Sequence, residues 1–254
     1  MAFYDGIVLW CVHTILTLKT LLFTWLFRTW KPVETQYRKV AYSRCCNDSK
    51  LLQKIPIHLG LVIAENQISY VDIANLVVWC MAVGISYISV YDTRGILKKS
   101  HSSLSSEIEK KRDDVLGHEK EKFTYQLHHS LTTSKTDQIT ESKKKSHILL
   151  LSAQDGRPDI VQAAKGYCQQ VYEQLTKSNA VDVGLIDSLL QATSGFPDPD
   201  LLIRFGTTSS LLGYLPWQIR LTEILSIPTH WNIDYKSFMN VLHNYAGTQQ
   251  RFGK

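Results

Sequence analysis

Between residues 57 and 91 the apolar positions change period twice, and no other stretch constrains the fold so far. Ile57–Ile63 (IHLGLVI) is an apolar run of strand length, Tyr70–Val83 (YVDIANLVVWCMAV) is a longer apolar run ending at Gly84, and Ile85–Tyr91 (ISYISVY) returns to β-branched and aromatic residues. A strand, a helix and a second strand make a βαβ unit with parallel strands, and continuous apolar runs suit strands covered on both faces. The alternation continues downstream. His147–Ser152 (HILLLS) reads as a strand, and Asp159–Lys177 as a helix with Ile160, Ala164, Tyr167, Val171 and Leu175 on one stripe. Asp182–Ala192 adds a shorter helix, Leu201–Arg204 a strand and Ile233–Gln249 a closing helix. The expected fold class is α/β, a mainly parallel sheet flanked by helices in one domain over 56–254.

Composition removes several alternatives. With 44% hydrophobic residues and 28 basic against 23 acidic side chains, a net +5, the chain is neither disordered throughout nor basic enough to read as nucleic-acid-binding. Its five cysteines, Cys11, Cys45, Cys46, Cys80 and Cys168, contain no C-x-x-C pair, which points to reduced thiols and away from a zinc site. Two stretches lack a sustained period. Residues 31–55 read as a basic juxtamembrane linker, and 98–146 as an exposed polar insertion with a solvated helix near 103–126 and a solvated lysine cluster at Lys143–Lys145.

The linker follows a membrane-anchor candidate within residues 1–30. Gly6 to Phe27 is an apolar run of 22 residues, long enough as a helix to cross a hydrocarbon core of roughly 30 Å. Tyr4 and Trp10 lie at one end and Trp25 and Trp30 at the other, where amphipathic rings favour the headgroup region. Lys19 is a cost of about 2.5–3.5 kcal/mol at the centre of a span, reduced when its stem snorkels toward an interface. Arg28, Lys31, Arg38, Lys39 and Arg44 follow the run and only Asp5 precedes it, so the positive-inside rule expects a cytosolic body behind a single-pass anchor.

Ligands of open α/β sheets bind beyond the carboxyl ends of the strands, which directs attention to Ala64-Glu65-Asn66, to Ala153–Arg157 and to Arg204–Ser210. None of these turns is a G-x-G-x-x-G or Walker loop, and the chain has no G-x-S-x-G elbow or H-E-x-x-H. The segment FPDPDLLIRFGTTSSLLGYLPWQ (196–218) nevertheless resembles the signature of the cis-prenyltransferases, PDPDLLIRTSGE followed by an Arg, a Ser and WQ. His58–Asn66 (HLGLVIAEN) is similar to that family's H-x-x-F-I-M-D-G-N, Gly84–Tyr91 to its second strand, and Asp155–Ile160 (DGRPDI) to its G-G-R-x-D/E-I turn. With Leu221-Thr222-Glu223, Trp231 and Arg251-Phe252-Gly253, the likeness extends over 57–254.

Where the sequence departs from the family pattern, chemistry is lost. Ionising an allylic diphosphate requires a carboxylate-held Mg²⁺ and arginines on the diphosphates. The family's catalytic Asp position is Ala64 here, and the positions of its diphosphate-binding Arg and Ser are Ser210 and Leu212. Glu65 cannot replace the aspartate if the strand continues, because a one-residue shift points a side chain to the other face. It is expected to be a surface residue.

The combination resembles the accessory subunits of eukaryotic cis-prenyltransferases, the Nogo-B receptor type. The resemblance implies a non-catalytic but required subunit that pairs with a catalytic cis-prenyltransferase chain. Together they would elongate farnesyl diphosphate with isopentenyl diphosphate to dehydrodolichyl diphosphate at the endoplasmic reticulum membrane, for dolichol synthesis and protein glycosylation. Mg²⁺ would be held by the partner, and Arg251 and Gly253 would complete the partner's active site in trans, Arg251 on the isoprenoid diphosphate substrate. A guanidinium fork suits diphosphate oxygens and glycine permits close backbone approach. The alternative, a membrane-anchored receptor or scaffold that kept the fold without an enzymatic role, has no use for such a tail.

Structural roles are expected elsewhere. Arg157 and Arg204 hold turns, Glu223 is similar, His58 is a core-edge histidine, and Asp198 and Asp200 fix their own turn rather than form a metal pair. Leu211, Leu212, Tyr214, Leu215, Trp217, Leu221, Ile224, Leu225 and Ile227 are too apolar for a solvated loop and are divided between core and partner surface.

Overall fold

The structure, a computed structural model, describes residues 7, 10–19, 21–22, 42–128, 144–178, 181–194 and 196–249. The chain divides into two units, 1–39 and 40–254. In the first, residues 10–19 are helical, with Trp10, Ile15 and Leu18 exposed. Thr14 and Thr17 donate their hydroxyls to the carbonyls of Trp10 and His13, at 2.7 and 2.6 Å, so neither hydroxyl depends on water. Among the described residues no helix is long and apolar enough to cross a membrane. Parts of the 6–27 run, and of the 31–55 linker, lie outside the described residues.

Among the described residues the body is built on six parallel strands: β1 (His58–Ile63), β2 (Tyr87–Asp92), β3 (Phe123–His128), β4 (Lys144–Leu151), β5 (Leu201–Phe205) and β6 (Glu223–Ile227). Their order is β3-β4-β2-β1-β5-β6, with β1 at the centre between β2 and β5. The helices are α1 (Tyr42–Lys50), α2 (Tyr70–Val83), α3 (Ile96–Lys99), α4 (His101–Leu116), α5 (Arg157–Tyr172), α6 (Val183–Ser194) and α7 (Tyr235–Gly247).

Strand alternation divides the core. Leu59, Leu61 and Ile63 of β1 join Ile88, Val90, Ile148, Leu150, Leu201 and Ile203 in one cluster, covered by residues of α1, α2, α4 and α7. Val62, Tyr91, Leu149, Leu151 and Leu202 face the other way, into a smaller cluster closed by Phe196, Tyr214 and Leu215. Helix α2 is buried from Asp72 to Val83, which explains an apolar run with little face preference. Ser69 caps its first turn and Gly84, at φ 105°, ends it.

Two expectations are corrected, and one open reading is divided. The segment 98–146 is not merely an exposed insertion. Helix α4 packs on α2 and buries Leu104, Ile108, Val115 and Leu116, and β3 pairs along β4 from Phe123 to His128. One apolar residue per turn is enough to seat a helix whose average composition is polar. Residues 31–55 are not linker throughout, because α1 buries Cys45 in the main core and Leu52 follows it there. Finally, Glu223–Ile227 is the strand β6 on β5, within a run that the sequence left undivided between core and partner surface.

Candidate functional site

The carboxyl ends of the strands bring together every turn that the sequence singled out. At the exit of β1 the Ala64 amide donates to the Phe205 carbonyl at 2.9 Å, extending the β1/β5 pairing by one residue. The chain therefore stays extended through Ala64, and Glu65 turns to the opposite side. There its Oε1 accepts from the Thr229 hydroxyl at 2.6 Å, and its Oε2 accepts from the His230 amide at 2.9 Å and is paired with His230 Nδ1. His230 Nε2 accepts from the Ser69 amide at 2.9 Å, so the ring is fixed at both nitrogens. Burial disfavours ionised Glu65, but the hydrogen bonds from His230 and Thr229 outweigh it and hold the carboxyl below its ordinary value. Glu65 is thus no plain surface residue; it latches the β6 exit to the start of α2.

Asp92 and Asp155, also at this end, are committed as well. Asp92 accepts from the amides of Ile96 and Leu97 at 2.9 and 3.0 Å and so starts α3. Asp155 Oδ2 accepts from the Ser152 amide at 2.7 Å and from Lys98 at 2.5 Å. Ala64 contributes a methyl group, and among the described residues no three His, Cys, Asp or Glu are grouped to hold a metal ion. This donor set does not fit Mg²⁺, which takes carboxylate oxygens with open positions for water and phosphate.

The turn carrying the lost diphosphate positions is folded onto the sheet. Ser210 Oγ accepts from the Leu212 amide at 3.1 Å, and the Leu212 carbonyl accepts from Tyr91 OH at 2.5 Å. Leu212 and Leu215 have φ of 53° and 28°, a left-handed conformation costly for a branched residue. What holds them is Tyr214. Fully buried, it ends a polar chain in which Tyr214 OH lies 2.6 Å from Ser89 Oγ, Ser89 Oγ 2.8 Å from His58 Nε2, and His58 Nδ1 2.6 Å from the Pro197 carbonyl.

A carbonyl only accepts, so Nδ1 carries the proton, Nε2 accepts from Ser89, and Ser89 accepts from Tyr214. Burial pulls the His58 pKa down to about 4 and keeps the ring neutral. Gly60 is what allows the phenol in, since a Cβ there would stand 2.5 Å from Tyr214 OH. Gly156 has the same role on the other side of the turn, where a Cβ would lie 2.1 Å from the Gly213 carbonyl oxygen.

The other candidates divide clearly. Arg204 donates to the Ser209 carbonyl and, at 2.7 Å, to Ser226 Oγ, so it holds the β5 turn. Arg157 is exposed at the start of α5. Asp200 does not fix its own turn: it accepts from the amides of Ile57 and His58 at 2.7 and 3.1 Å, fastening the entry to β1. Asp198 lies 3.8 Å from Arg220, which also reaches Asp187 at 3.2 Å, the acceptor of the Trp217 indole at 2.5 Å. Glu223 begins β6, its amide on the Asp200 carbonyl at 3.0 Å. Of the apolar 211–227 run, Tyr214 and Leu215 are core while Leu221 and Ile224 are exposed, the latter on β6, which among the described residues pairs only with β5. Arg251 and Gly253 lie outside the described residues.

Sequence reasoning put His58 at the opening of β1 and Ala64 at its exit, where the structure has them, but missed Ser89 and Tyr214 beside His58 and Thr229 and His230 beside Glu65. No local pattern marks them, since the His230 to Glu65 contact spans 165 positions.

This parallel α/β sheet, with its signature turns at one end, defines a prenyltransferase fold. The structure of lavandulyl diphosphate synthase from Lavandula x intermedia superposes with a TM-score of 0.53 at 16% identity, over 78% of this chain and 98% of that one. The undecaprenyl diphosphate synthase family model matches residues 95–253, and the chain belongs to that cis-prenyltransferase family. Within it, the chain is 49% identical to the dehydrodolichyl diphosphate synthase complex subunit Nus1 of Mus musculus, over 82% of this chain and 69% of the mouse protein. The corresponding subunit of Homo sapiens is 46% identical over 82% of this chain and 70% of its own length.

Proposed function

We propose that this chain is a required, non-catalytic subunit of a heteromeric cis-prenyltransferase that condenses farnesyl diphosphate with isopentenyl diphosphate to dehydrodolichyl diphosphate, the precursor of dolichol for protein glycosylation. One observation carries the non-catalytic part. The exit of β1 offers the methyl group of Ala64, and the adjacent Glu65 is turned away and bonded to Thr229 and His230. The names of the mouse and human relatives, both subunits of a dehydrodolichyl diphosphate synthase complex, support the heteromer.

The partner then supplies the carboxylates that hold Mg²⁺. This chain supplies the fold, an apolar surface that includes Leu221 and Ile224, and the Arg251-x-Gly253 tail directed at the partner's diphosphate site. Residues 6–27 anchor the complex in the endoplasmic reticulum membrane as a single span with the body cytosolic, and the self-satisfied hydroxyls of Thr14 and Thr17 suit that environment. Reconstitution tests the proposal. Isoprenoid elongation should appear when the catalytic chain and this chain are mixed in detergent with both diphosphates and Mg²⁺. A catalytic chain equally active without this one would overturn the required role.

A further inference from the structure

The last described turn of the chain is held by a residue far from it in sequence. Lys54 lies in the segment between α1 and β1, and its Nζ donates to the Thr248 carbonyl at 2.8 Å and to Thr248 Oγ1 at 3.3 Å. The same ammonium stands 4.4 Å from the centre of the Tyr245 ring. Thr248 is the C-cap of α7, extended at φ −77° and ψ 133°, and its hydroxyl donates back to the Tyr245 carbonyl at 2.7 Å. A cation at a helix C-terminus is favourable in itself. Here it also fixes the point from which the chain departs, three residues before Arg251.

We infer that Lys54 is a positioning residue for Arg251: by pinning Thr248 it sets the origin of the tail that enters the partner's diphosphate site. The inference rests on the proposed role of the tail in trans. Three residues reach at most about 10–11 Å, so the placement of Thr248 determines where the guanidinium can go. If the last turn of α7 frays, the tether lengthens from three residues to about seven. Loop-closure statistics then lower the local concentration of Arg251 at the site by the 3/2 power of that ratio, roughly 3- to 4-fold. Substrate binding at saturation recovers the docked tail, so the loss falls on KM for isopentenyl diphosphate and spares kcat.

The test is steady-state kinetics of the assembled heteromer with this chain as wild type, Lys54→Ala, Lys54→Arg, Arg251→Ala and Lys54→Ala/Arg251→Ala. Expected are a KM raised about 3- to 4-fold with kcat retained for Lys54→Ala, restoration by Lys54→Arg, and no further effect of Lys54→Ala once Arg251 is gone. If Arg251→Ala impairs turnover and Lys54→Ala leaves KM unchanged, the positioning role is overturned and the tail's role stands. A Lys54→Ala defect that persists in the Arg251→Ala background, or that Lys54→Arg fails to correct, reduces Lys54 to a helix cap and also overturns it. Unchanged kinetics for Arg251→Ala would remove the tail's role and the inference with it.

Discussion

Acidification should destabilise this fold through His58, well above the pH at which carboxylates protonate. The ring is fully buried and neutral, and its pKa is pulled by burial from 6.5 to about 4. In the unfolded chain it titrates at its ordinary value, so between those two limits the unfolded state binds the proton and the native state does not. The native state therefore loses stability as pH falls through that window, and the loss is complete below about 4. With those two values, moving from about pH 7.5 to pH 5 favours the unfolded state by roughly 30-fold, or about 2 kcal/mol.

Urea denaturation of the full-length chain in detergent, followed by tryptophan fluorescence, measures this at each pH. The chain has nine histidines, so the wild type is compared with His58→Asn, which removes the imidazole alone. The variant should be less stable at neutral pH, because Ser89 and the Pro197 carbonyl lose their partners. Its stability should also depend less on pH, by about 2 kcal/mol over that range. Equal pH dependence in the two proteins would refute the neutral, Nδ1-protonated His58 and the Tyr214 to Ser89 to His58 chain derived from it.

Two further predictions follow from the same end of the sheet. Glu65→Ala leaves the Thr229 hydroxyl and the His230 amide without their acceptor and should cost roughly 2–4 kcal/mol in urea denaturation, while the Mg²⁺ requirement of the assembled enzyme is unchanged. Because the Glu65 carboxyl is held below its ordinary value, its contribution is present at neutral pH and fades only as pH falls below about 4.3, a loss that Glu65→Gln should abolish. Gly156→Ala would put a methyl 2.1 Å from the Gly213 carbonyl oxygen, with backbone on both sides of the clash. It should cost about 1–3 kcal/mol, read as a fall in Tm of about 2–4 °C per kcal/mol, and an unchanged Tm would mean that the two turns do not meet.

The sequence was most legible where periodicity is enforced by burial on both faces. The run from Ile57 to Tyr91 is such a case, as is His147–Ser152, because β1, β2 and the Ile148–Leu151 part of β4 are interior in the sheet, buried and mostly apolar. The edge strands were harder to read. Among the described residues β3 (FTYQLH) and β6 (EILSI) each pair on one side only and are half-buried, so polar residues are tolerated and the β signal weakens. Helix α4 was legible as a helix but was read as solvated because of its serines and charges, although Leu104, Ile108 and Val115 repeat at helical spacing and are buried.

At the site, Ala64 was legible because a missing carboxylate is a property of one position. The role of Glu65 was not, since the alternation of a strand says which side a residue leaves and nothing about Thr229 or His230 waiting there. Lys54 was equally hidden, its partner Thr248 being 194 residues away.

In the proposed function, this chain takes part in prenyl transfer without holding the metal that drives it. The decisive measurement is incorporation of labelled isopentenyl diphosphate into a farnesyl diphosphate primer by this chain purified without a companion and saturated with Mg²⁺. No lengthened product above the protein-free background is expected, and elongation at a rate matching the assembled enzyme would overturn the non-catalytic role.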